Sequence, residues 1–216
     1  MSGDLLIYGA GGAGRELAFA LSLDKSPETS WQVKGFIDDT KHLWGQRVND
    51  VPILGGFDYL SNCSANIAVT VLDDPLIRRN LILRIKKNNN IKFPVIISPS
   101  SIVSPYVEWG EGCIVALPNN CITVNIKLGD FVWINGANRI GHDTTIGAYT
   151  VIFTGILFGG GVSIGSGCVI GSGVVILPKR KIGDGSIIGG GSVVSKDIPP
   201  GVVAAGVPAK IIREIK

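Results

Sequence analysis

Residues 122–194 read ITVNIK LGDFVW INGANR IGHDTT IGAYTV IFTGIL FGGGVS IGSGCV IGSGVV ILPKRK IGDGSI IGGGSV V when broken every six residues from Ile122. The thirteen leading positions, from Ile122 through Ile152 and Phe158 to Val194, are all large and apolar. Glycine follows eight of the thirteen, at 129, 141, 147, 159, 165, 171, 183 and 189. Two places before the apolar residue the side chain is mostly small or β-branched, as at Val132, Thr144, Thr150, Val162, Cys168, Val174, Ser186 and Ser192. Neither an α-helix nor an ordinary strand repeats every six residues.

Period six predicts a three-sided prism. Each unit is one short strand and its corner, three units make a coil of 18 residues, and coils stack by main-chain hydrogen bonds about 4.8 Å apart. The large aliphatic points inward onto the residues 18 before and after it, while small residues and glycine let the chain turn each corner. Backwards from Val115 the same step reaches Trp109, Val103 and Ile97. The interval from Val115 to Ile122 is seven residues, so one residue is inserted there. Between five and six coils fit from Ile97 to Val194. Handedness does not follow from the count, since crossover connections generally favour the right hand.

Outside the repeat, the chain begins with an apolar run, LLIY (5–8), followed by Gly9, Gly11 and Gly14 in the spacing GxGxxG. A helical pattern follows from Arg15 to Leu23, with Leu17, Ala20 and Leu21 on one face. Glycines between a strand and a helix let backbone N–H groups at the helix start approach a phosphate. A second strand, Val33–Ile37, ends in Asp38-Asp39, where an acid commonly takes a sugar hydroxyl or a base edge. A third, Ile67–Leu72, ends in Asp73-Asp74-Pro75, an N-cap with proline at the first helical position, and the helix Leu76–Lys87 follows. Phe93–Ile97 supplies a further strand. The expectation is a small Rossmann-like α/β domain over residues 1–95 and a β-helix over 96–216.

Composition narrows the function. With 45% hydrophobic and 17% charged residues the chain is a packed protein. A net charge of +3 with scattered cations gives no footprint for nucleic acid. The lack of a membrane-length apolar run or a basic-then-apolar leader leads us to expect no membrane span and a cytoplasmic location. Four cysteines without CxxC spacing and two histidines predict no metal site.

Taken together, IYGAGGAGREL (7–17), GFIDD (35–39), IISPSSIVSP (96–105), INGANRIGHDTTIG (134–147) and IIGGGSVVSKDIPPGVVAAGVPAKII (187–212) resemble the PglD/NeuD-type sugar acyltransferases of the hexapeptide-repeat superfamily. The resemblance implies a left-handed parallel β-helix and a homotrimer, with acetyl-CoA as co-substrate in the groove between neighbouring prisms. It also implies a nucleotide-linked amino sugar held by the N-terminal domain, its nucleotide being UDP, GDP or dTDP. His142, paired with Asp143, then takes the proton as the sugar amine attacks the thioester directly. An imidazole oriented by a carboxylate suits that task near neutral pH.

Carried over residue by residue, the resemblance puts the nucleotide sugar at Gly11, Gly12, Ala13, Asp38 and Asp39. It puts acetyl-CoA at Asn135, Val151, Gly160, Ser172 and Gly190. The repeat supplies one relation by itself: Gly160 is one coil beyond His142, so its backbone N–H is the candidate donor to the thioester oxygen. Three positions depart from the family pattern: Val151 and Ala13 where relatives often carry histidine, and Leu72 where they often carry glycine.

Two other readings compete with N-acetyl transfer. An O-acetyltransferase acting on a sugar or serine hydroxyl would use the same base. A non-catalytic, nucleotide-sugar-binding β-helix would need none. The glycine motif alone would suggest an NAD-dependent oxidoreductase, but nothing beyond that turn supplies a hydride acceptor.

Overall fold

A strand in the middle of a parallel sheet is covered on both faces and must be apolar on both. The run Leu5-Leu6-Ile7-Tyr8 meets that requirement: all four side chains are buried, and their strand is paired along both edges. A computed structural model describes residues 2–24, 30–72 and 74–215. The chain divides into two compact units, residues 1–99 and 100–216.

The first unit runs β1 (Gly3–Tyr8), α1 (Gly12–Ser22), β2 (Trp31–Ile37), β3 (Arg47–Val48), β4 (Val51–Gly55), β5 (Ala65–Val69), α2 (Pro75–Ile85) and β6 (Ile91–Lys92). Its sheet has the order β3-β4-β2-β1-β5-β6. All neighbours are parallel except the β3–β4 hairpin. Leu17, Ala20 and Leu21 of α1 are buried, as their helical spacing predicts. Asp74 caps α2, its Oδ1 accepting from the N–H groups of Leu76 (2.7 Å) and Ile77 (3.4 Å). Asp73 lies outside the described residues.

Two strands differ from expectation. β5 stops at Val69 because Thr70 turns to serve the glycine loop, its hydroxyl donating to the carbonyls of Tyr8 and Gly9. Phe93–Ile97 is not one strand. Pro94 lacks an N–H and restricts Phe93, leaving β6 and a separate pair at Ile96–Ile97.

The second unit is the prism, with sheets of eight, six and five strands. The thirteen inward residues from Ile122 to Val194 are at most 7% exposed. Each contributes roughly 1.5–3 kcal/mol of transfer free energy before chain entropy is counted. Register confirms the inserted residue: Ile122 pairs with Val103 and Ile134 with Val115, 19 apart, whereas Ile122 and Ile140 are 18 apart. Val103 and Trp109 are half-buried and Ile97 is 36% exposed, since the repeat begins there with no earlier coil.

The glycines after the inward residues have a different duty from corner-turning. A Cβ on Gly147 would lie 2.4 Å from the Ser166 nitrogen, and one on Gly183 would lie 2.3 Å from that of Pro200. They permit the close approach of the next coil. The left-handed backbone falls two residues later, every six residues from Asn125 to Gly191, with φ between 57° and 75°. Glycine fills half of these twelve positions; Asn125, Phe131, Ala137, Asp143, Tyr149 and Lys179 fill the rest. Asparagine and aspartate tolerate this region better than other side chains.

Candidate active site

The corner between the six- and five-stranded sheets carries Gly141-His142-Asp143-Thr144. Asp143 occupies the left-handed turn position, φ 57°, and its N–H donates to Val124 O one coil earlier (3.1 Å). Its Oδ2 lies 2.7 Å from His142 Nδ1, and its Oδ1 accepts from Asn125 Nδ2 at 3.0 Å. The hydrogen bond with His142, followed by that from Asn125, holds the Asp143 carboxyl below the usual carboxylate range. An ionised Asp143 keeps the imidazole proton on Nδ1 and leaves Nε2 as the basic nitrogen.

Gly160 lies where the 18-residue step puts it. A Cβ on Gly160 would stand 2.3 Å from His142 Nε2 and 2.5 Å from Cε1, so the ring covers that glycine. Gly161 N–H donates to His142 O at 2.7 Å, tying the two coils together. At the same slot of the following corner, Ser166 N–H is bound by the Asp184 carboxylate at 2.7 Å. The slot therefore presents an N–H to an oxygen outside the backbone ladder, and Gly160 N–H has no backbone acceptor among the described residues.

The remaining residues expected at acetyl-CoA fall elsewhere on the prism. Ser172 and Gly190 are one coil apart, Gly191 N–H donating to Ser172 O, on the corner between the eight- and six-stranded sheets. Asn135 begins that same corner, half-buried, and its Oδ1 has no hydrogen-bond partner among the described residues. Val151 is fully buried beside Trp133, which leaves it no free surface in the single chain. One face of the prism thus separates these positions from His142.

In the first unit, Gly14 and Gly9 make the turn possible. A Cβ on Gly14 would lie 1.9 Å from Gly9 O, and Gly9 has φ 108°. Gly11 caps α1 without a side-chain hydrogen bond, and the space over Gly11 and Gly12 is open. Ala13 follows in the first turn of α1. This arrangement suits an anion at the helix start. Asp38 Oδ2 accepts from Ala10 N–H at 2.9 Å and Oδ1 from Thr40 N–H at 2.9 Å. Burial alone would raise its pKa, but these hydrogen bonds outweigh it and the net shift is downward. Asp39 accepts from Tyr8 Oη at 2.6 Å and Phe57 N–H at 2.8 Å. Burial first, and then Asp39, push the Tyr8 pKa well above the usual phenol value. Asp38 therefore braces the glycine loop through Ala10, and Asp39 ties the end of β1 to the backbone at Phe57.

The sequence reading overlooked Asn125. It lies one coil before Asp143, as Gly160 lies one coil after His142.

Residues 161–196 match the family described as bacterial transferase hexapeptide (six repeats). No curated protein sequence matches. Among solved structures, PerB from Caulobacter crescentus, in complex with CoA and GDP-perosamine, is 29% identical with a TM-score of 0.86, covering 98% of both chains. The acetyltransferase domain of PglB from Neisseria gonorrhoeae, in complex with acetyl coenzyme A, is 29% identical with a TM-score of 0.86, covering 97% of this chain and 98% of that one. WeeI from Acinetobacter baumannii is 29% identical with a TM-score of 0.83, covering 98% of this chain and 100% of its own. The chain shares its two-part architecture, a Rossmann-like start and a left-handed β-helix, with hexapeptide-repeat sugar N-acetyltransferases along nearly its whole length. No helix among the described residues is long and apolar enough to cross a membrane.

Proposed function

We propose that this protein is an acetyl-CoA-dependent N-acetyltransferase acting on the amino group of a nucleotide-linked amino sugar. The observation that carries the reading is the His142–Asp143 pair at 2.7 Å with Nε2 lying over Gly160, on a chain similar to a protein solved with CoA and GDP-perosamine. The amine nitrogen attacks the thioester carbon, forming the C–N bond. His142 Nε2 takes the amine proton, and Gly160 N–H donates to the oxyanion. The C–S bond then breaks, and the thiolate leaves with the proton that His142 returns. No acyl-enzyme is needed, because the thioester is already activated.

The nucleotide belongs at the first unit, its phosphates at Gly11, Gly12 and Ala13, with Asp38 and Asp39 at the sugar or base. Acetyl-CoA belongs in a groove between two prisms of a homotrimer. Support comes from the separation of His142 from Asn135, Ser172 and Gly190, which two neighbouring copies would bring together. Beyond Arg139, the outward row of the six-stranded sheet is also apolar, at Leu157, Val175 and Val193. The five-stranded sheet instead shows Lys127, Thr145, Ser163 and Lys181. Apolar faces suit contact between copies; the charged face suits water.

Amine selectivity tests the reading. With one nucleotide sugar offered in amino and hydroxyl forms, acetyl-CoA turnover is expected with the amino form. Acetylation of the hydroxyl form alone would make the enzyme an O-acetyltransferase.

A further inference from the structure

The geometry points to Asn125 as a positioning residue that fixes the Asp143 carboxylate, and through it the His142 ring, for proton transfer. This rests on the assignment of His142 as the base. Asp143 has two oxygens and two neighbours: Oδ2 meets His142 Nδ1 at 2.7 Å, and Oδ1 meets Asn125 Nδ2 at 3.0 Å. The pair is largely open to solvent in the single chain, with side-chain exposures of 65% for His142 and 56% for Asp143. An exposed side-chain pair holds its geometry weakly on its own. A second, neutral donor on the far oxygen removes the freedom of the carboxylate to rotate away.

The preceding coil holds Asp143 at two points, through Val124 O to its backbone and Asn125 to its side chain. Asn125 and Asp143 occupy equivalent turns, both with φ 57°, so the donor and acceptor are stacked by the repeat itself. The left-handed backbone also explains the residue types. Both tolerate that conformation, and the asparagine amide donates to the carboxylate without adding charge.

The test compares kcat and KM for both substrates in the intact protein. Asn125→Gly keeps the left-handed turn and removes the donor; we expect kcat to fall about tenfold with both KM values little changed, the scale on which supporting hydrogen bonds act. Asn125→Asp preserves size but sets a like charge against Asp143, and we expect a larger loss. In an Asp143→Ala background, Asn125→Gly should have no further effect on kcat. An equal loss in that background, or an unchanged kcat for Asn125→Gly, would overturn the positioning role. Retention of full activity by His142→Ala would instead overturn the base assignment, so the two failures are distinct. Thermal unfolding of Asn125→Gly is expected within a few degrees of the parent; a collapse in melting temperature matched by equal losses in both backgrounds would mark a purely structural residue.

Discussion

His142→Ala is expected to lower kcat by about 10³-fold while leaving the KM for acetyl-CoA near its original value. General-base catalysis is worth about 10²–10⁴ in rate, and His142, with its Nδ1 held by Asp143, is the residue proposed to supply it. The side chain is 65% exposed in the single chain, so truncation leaves no cavity in the prism core and should not threaten folding. The inward neighbour Ile140 remains buried regardless. Steady-state kinetics on the folded variant check this. Full activity would move the base elsewhere.

Gly160→Ala is expected to cost about 10²-fold in kcat, from the addition of one methyl group. That methyl would stand 2.3 Å from Nε2 and 2.9 Å from Cδ2 of His142, so the imidazole must swing outward. Gly160 does not sit in the left-handed region, and alanine can adopt its backbone. The ring is largely exposed, so swinging it outward disturbs no core packing and stability should change little. Catalysis is more sensitive, since a displacement of about 1 Å at the reacting groups can cost about 10²-fold. Kinetics paired with thermal unfolding separate the effects: a large loss of kcat at an unchanged melting temperature is the expected pattern. Near-parental kcat would show that the base does not work from its position over Gly160.

The six-residue count made the prism legible because one large side chain per strand must fill a narrow core. The eight glycines were visible too, but their duty was not. Gly147 and Gly183 are required by the backbone of the next coil, a contact that appears only when coils are stacked. The left-handed positions from Asn125 to Gly191 were written in the same repeat, yet half of them carry side chains that conceal the pattern. His142, Asp143 and Gly160 were legible from a resemblance and one step of 18. Asn125 needed the opposite step. The placing of Asn135, Ser172 and Gly190 on a corner away from His142 is in the same count, since their hexads begin at Ile134, Ile170 and Ile188, whole coils apart from one another but not from Ile140. At the N-terminus the glycine spacing foretold the turn, whereas the bonds of Asp38 to Ala10 and of Asp39 to Tyr8 depend on how the strand ends meet.

The most direct measurement is the yield of CoA thiol and acetylated product when the protein is given acetyl-CoA with GDP-, UDP- and dTDP-linked amino sugars in turn. The expected result is that at least one becomes acetylated at its amino nitrogen, as an amide identified by NMR, with one CoA released per amide formed. No amide with any of the three, or acetyl-CoA consumed without amide formation, would contradict it.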